Sequence, residues 1–176
     1  MRVSTLALTA ALALAGCGGD TENKTKAASA QSIVAGQYEV TAEVAEFRQT
    51  DQGTPKINAP VGTRTTRNVC VPPGGAIMPD LFADEGMSCQ VGSSDYVRNG
   101  TINLTLRCTR PGTEGNINYV LSGTFDANGY QADRELTSLF VGEGDVFVYT
   151  RVQGRRTGDC APGAPAGNSA APAATR

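Results

Sequence analysis

Apolar and polar residues alternate along most of the chain between positions 36 and 160. Tyr38, Val40, Ala42 and Val44 alternate with Gln37, Glu39, Thr41 and Glu43. Ile102, Leu104, Leu106 and Cys108 alternate with Thr101, Asn103, Thr105 and Arg107, and Ile117, Tyr119, Leu121 and Phe125 share one parity. A two-residue period puts successive side chains on opposite faces of an extended chain, so these runs predict half-buried strands. Strands are expected near 36–47, 62–71, 89–98, 101–109, 116–125, 130–140 and 145–155. Asn99-Gly100 marks a two-residue hairpin, because a type I′ turn needs positive φ at both central positions. Asp126–Gly129 and Gly142–Asp145 have turn chemistry as well. The stretch 72–88 has no such period, and at most a short helix is expected near 79–85. The fold class is therefore all-β: an antiparallel meander of about seven to eight strands, with barrel, half-barrel and sandwich left open.

The ends read differently. Leu6 to Ala15 is a ten-residue apolar run behind Arg2, the length of a signal-peptide core and too short to span a bilayer. It leads into Leu14-Ala15-Gly16-Cys17, small residues before a thiol, as lipoprotein processing requires. Residues 1–16 are accordingly expected to be a cleaved signal peptide and Cys17 to be lipidated, anchoring the chain to a membrane and facing the periplasm of the cell envelope. Gly18, rather than the Asp that retains lipoproteins in the inner membrane, favours the outer membrane in a Gram-negative host. Residues 17–35 complete the acylated start with a flexible tether whose ends lie about 25 Å apart as a coil. Residues 161–176, nearly all Ala, Pro, Gly and small polar, predict a disordered tail. All ten Phe and Tyr lie between Tyr38 and Tyr149, which sets one domain at 36–160.

Five cysteines are present. Lipidation accounts for Cys17, and Cys70, Cys89, Cys108 and Cys160 then form an even set suited to an oxidising compartment. Three pairings are possible. Closing the hairpin at Asn99-Gly100 puts residue 89 opposite 110, two residues from Cys108, so a bulge or a slightly longer loop would bring Cys89 and Cys108 together. That preferred bridge leaves Cys70 for Cys160.

Opening Gly36-Gln37-Tyr38-Glu39-Val40-Thr41, the early strand Val69-Cys70-Val71, the central Cys89 and Cys108, and the ending Arg155-Arg156-Thr157-Gly158-Asp159-Cys160 together resemble the bacterial domain-of-unknown-function family numbered 3617. Tyr38 stands where that family commonly has Trp. The resemblance implies a small exported protein, often a lipoprotein, and assigns no activity.

Chemistry is sparse. The chain has no His, which removes the commonest general base and metal ligand. The cysteines lack short metal-site spacing. Asp80, Asp84 and Glu85 read as a solvated loop face rather than a calcium loop. No catalytic residue, metal or cofactor is expected, and a net charge of −2 gives nucleic acid nothing to bind. Arg155 and Arg156 are the remaining candidates. A guanidinium there would close the domain, stacking over Tyr38 and bonding carbonyls, or would clamp an anionic ligand. Two functions follow: a non-catalytic structural or interaction module with an envelope-protein or cell-wall partner, and a binding module holding a small amphiphile or lipid in a β-barrel cavity.

Overall fold

The computed structural model describes residues 32–74, 77–163 and 166–169. The expected signal peptide, Cys17 and the tether up to residue 31 lie outside the described residues. Among the described residues, nine strands form one sheet: β1 Gly36–Gln49, β2 Arg64–Val71, β3 Ser88–Val91, β4 Tyr96–Arg98, β5 Thr101–Thr109, β6 Gly115–Phe125, β7 Gly129–Phe140, β8 Val146–Gly158 and β9 Gly167–Ser169. All pairings are antiparallel, in the order β3-β5-β6-β7-β8-β1-β2-β9, with β4 beside β3 on the edge of β5. The sheet curls into a half-barrel, which resolves the three shapes left open by the strand pattern. β5 to β8 keep the meander, and β1 then pairs with β8 instead of beginning the sheet.

On β1, β5 and β6 the inner face is the parity read from sequence. Tyr38, Val40, Leu104, Leu106, Ile117, Tyr119, Leu121, Tyr130, Val146 and Val148 are buried on it and form one core. The hairpin at Asn99-Gly100 has φ of 52° and 76°, as a type I′ turn demands. At the next turn, Asp126 Oδ1 accepts from the amides of Asn128 (2.7 Å) and Gly129 (3.1 Å).

Beyond shifts of up to three residues at strand ends, three departures from expectation stand out. The strand expected at 89–98 is broken into β3 and β4. Cys89 pairs with Cys108 while Val97 pairs with Ile102, so two extra residues are absorbed between the two segments. Asp95 stabilises the irregularity, its Oδ2 accepting from the amides of Gly92 (2.8 Å) and Thr105 (2.7 Å). At the N-terminal side the domain begins before Gly36, since Ile33 packs on the core and the Val34 carbonyl accepts from Tyr38 Oη at 2.8 Å. At the C-terminal side, the tail expected to be disordered from 161 onward contributes β9, which adds to the free edge of β2 at Asn68–Cys70. Edge pairing needs only backbone groups, so a segment without large side chains can supply it. The tail beyond Ser169 lies outside the described residues.

β2 and β3 are consecutive in the chain yet near opposite edges of the half-barrel. Their connection must therefore cross its open side. It does so through a single 3-10 turn, Pro79–Leu81, which contacts both β3 and β9.

Candidate functional site: a latched plug on the inner face

The crossing segment fills the half-barrel. Leu81, Phe82 and Ala83 are at most 2% exposed, and the Phe82 ring packs on Tyr130 at 5.1 Å between centroids. Because the segment has almost no regular structure, most of its carbonyls find no partner in a ladder and must be satisfied within the core. Side chains of the inner face do this. Arg67 of β2 donates Nη2 to the carbonyls of Asp80 (3.1 Å) and Ala83 (2.7 Å). Arg134 of β7 donates Nη1 to the Phe82 carbonyl at 2.9 Å and pairs with Asp84 Oδ1 at 2.9 Å. Tyr130 Oη donates to the Leu81 carbonyl, and Tyr119 Oη to Asp84 Oδ2 at 3.0 Å. The Arg134 guanidinium also lies over the Tyr119 ring, 5.2 Å from its centroid.

Burial governs the electrostatics. It pushes the Tyr119 and Tyr130 phenols well above their usual range, and at Tyr119 the neighbouring Asp84 carboxylate adds to the rise. Burial also lowers the Arg67 guanidinium from its ordinary value. Arg134 is 4% exposed, so its charge depends on Asp84 and the carbonyls for compensation. Asp84 is a correction to the solvated-loop reading of Asp80, Asp84 and Glu85: its side chain is 42% exposed, yet both carboxylate oxygens are engaged by the inner face.

Sequence reasoning missed this cluster, although a signal was present. Arg134 occupies the inward parity of Tyr130, Ala132 and Leu136, and Arg67 that of Val69 and Val71. A charge on an otherwise apolar parity marks an interior polar group needing a partner.

The candidates named from sequence fall elsewhere. Cys70–Cys160 and Cys89–Cys108 are disulfides, the preferred pairing. Tyr38 is fully buried and its phenol is raised by burial. Arg156 pairs in register with Tyr38; its Nε donates to the Ala35 carbonyl at 2.9 Å, and its Nη2 to Asp159 at 2.6 Å. The carbonyl bond of the closure reading is therefore present, but the stacking is not: the Tyr38 ring packs on Tyr130, with centroids 6.4 Å apart. Arg155 points the other way and pairs with Glu39 on the outer face at 3.1 Å. Among the described residues no three metal-ligating side chains cluster.

The outer face carries a polar cleft of about 570 Å³ across β1, β6, β7 and β8. In register across it run Thr41, Gln153, Gln131 and Thr124, and next to them Arg64, Glu43, Arg151, Asp133 and Ser122. The second row alternates in charge, with Arg64 and Glu43 in contact.

The profile of a family described as a protein of unknown function, DUF3617, matches residues 33–160. The chain belongs to that family. No curated protein and no solved structure matches it. The matched span of this DUF3617 domain starts at Ile33, which packs on the core, and ends at Cys160, which closes the long disulfide.

Proposed function

We propose that this DUF3617 protein is a non-catalytic envelope lipoprotein, lipid-anchored through Cys17, that works as a structural or interaction module. The observation that supports this reading is the filled interior. Leu81, Phe82 and Ala83 occupy the space a carried small molecule would need, so in this state the domain meets its surroundings through its outer face. That face offers paired charges and amides suited to a polar partner such as cell wall or another envelope protein. Photo-crosslinking side chains placed at Gln131 and Gln153 in living cells test it. Adducts to protein or glycan are expected at both. Their absence, with an intact lipid anchor, would overturn the interaction role.

A second reading, an amphiphile-binding module, draws support from one observation. The inner face carries two arginines and two tyrosines whose polar groups all converge on the plug, an arrangement that an acidic headgroup would satisfy equally well.

A further inference from the structure

Satisfying the plug does not exhaust the donors beneath it. Among the described residues, Nε of Arg134, Nε of Arg67 and Oγ1 of Thr150 are buried without a hydrogen-bond partner. Arg134 and Thr150 face each other across the β7–β8 ladder and are 4% and 1% exposed. A buried donor left unpaired is destabilising, and more so when the group is charged. The plug engages Arg134 through Nη1 and leaves its Nε and the Thr150 hydroxyl unused, so donor capacity remains beyond what the plug takes up.

The plug has the chemistry of an amphiphile. Asp84 supplies one carboxylate, held between Arg134 and Tyr119 at the solvent-facing end. Leu81, Phe82 and Ala83 supply about a dozen side-chain carbons in the apolar interior. The segment joins no ladder of the sheet. It leaves through Gly86, at φ +78°, and follows Gly74, at φ +128°, conformations that glycine adopts without steric cost.

Resting on the amphiphile reading, we infer that residues 77–85 are a displaceable stand-in for a long-chain carboxylate. In the bound state the ligand headgroup replaces the Asp84 carboxylate on Arg134 and Tyr119. Its two oxygens also give Arg134 Nε and Thr150 Oγ1 the acceptors that the plug leaves them without. The alkyl chain takes the place of Leu81 and Phe82, between Tyr130 and the aliphatic residues of β5 and β6. Ligand and plug compete for one set of donors, so whatever weakens the plug's own carboxylate strengthens ligand binding.

The test uses the full chain carrying Cys17→Ser, which has no acyl group and needs no detergent. Decanoate, and decanol as its uncharged counterpart, are titrated calorimetrically while hydrogen exchange is followed at the amides of Leu81, Phe82 and Ala83. These three amides are bonded within the plug, to Met78 and Pro79 carbonyls. Decanoate is expected to bind at least tenfold more tightly than decanol and to lower protection at the three amides. Asp84→Asn is expected to tighten decanoate binding at least threefold, and Arg134→Gln to weaken it at least tenfold. A purely structural latch would not make Asp84→Asn a better binder, so that variant decides even if Arg134→Gln folds poorly. Equal affinity for decanoate and decanol would overturn the carboxylate inference and leave the amphiphile reading standing. No binding of either would overturn both. Decanoate binding with unchanged protection at residues 81–83 would place the ligand on the surface and overturn the displacement.

Discussion

Removing one disulfide or the other should cost unequal amounts, and the difference can be worked from the chain. Cys70 and Cys160 are 90 residues apart, Cys89 and Cys108 only 19. In the chain-entropy account a bridge stabilises by restricting the unfolded ensemble, with a loss of roughly 2.1 + 1.5R ln n cal/mol/K for a loop of n residues. At 25 °C this gives about 4.5 kcal/mol for the long loop and about 3 kcal/mol for the short one. Cys70 is 3% exposed and Cys108 fully buried, so each bridge has a covered sulfur and the packing losses are comparable. With an unfolding entropy of about 2 cal/mol/K per residue over some 125 residues, the long bridge corresponds to roughly 17 °C in Tm and the short one to roughly 12 °C. The assay is thermal unfolding of Cys70→Ala/Cys160→Ala against Cys89→Ala/Cys108→Ala, in the Cys17→Ser background, with non-reducing peptide mapping of each. An equal or larger loss from the short bridge would refute the entropic reasoning. It would show that the Cys89–Cys108 link acts in the folded state, holding the β3–β5 edge where two residues are already out of step.

Three further outcomes are expected. Cys17→Ser should abolish lipid labelling and release the protein from detergent partitioning, and wild-type protein should sediment with outer membrane; unchanged partitioning of the variant, or wild type found in inner membrane, would contradict the anchor or the address. Arg156→Ala, which loses the Ala35 and Asp159 contacts, should cost about 1–2 kcal/mol in denaturant melts, whereas exposed Arg155→Ala should stay within about 0.5 kcal/mol; the reverse order would refute closure by Arg156. Stability should be level from about pH 6 to 9, because there is no His to titrate. It should fall above about pH 10: Tyr119 and Tyr130 have folded-state values raised above the unfolded one, so their contribution is complete below the ordinary phenol value and is lost as pH rises past it. Chemical denaturation across that range checks it, and a profile still level at pH 11 would refute it.

The strands and bridges were legible because each rests on a local rule. Parity identified the core face of β1, β5 and β6, from Tyr38 to Phe125, and Asn99-Gly100 fixed a hairpin whose register brought Cys89 within two residues of Cys108. The size of the mismatch there was readable too, as two residues, though not that Asp95 would stabilise it. What was not legible is non-local. That β1 pairs with β8, and that the 72–87 connection must in consequence cross the open side, follows from the order of strands, which alternation does not encode. The plug's latch depends on that crossing, since Arg67, Arg134 and Asp84 meet only once the connection is in place. β9 escaped for a different reason: composition reports what a segment can bury, while a sheet edge offers hydrogen bonds to any backbone.

The placement of β1 also bears on how the domain carries load. A tug on the chain ahead of Gly36 reaches a strand that is hydrogen-bonded along one side to β2 and along the other to β8. Pulled along its length, such a strand must break many of those bonds together, whereas an edge strand pulled across the sheet would yield them singly. Arg156 and the Ala35 carbonyl reinforce the point where the force enters. The chain ahead of Gly36 therefore enters the sheet at a shear-resistant strand, and traction applied there would be met by two ladders in parallel before any other part of the fold were disturbed.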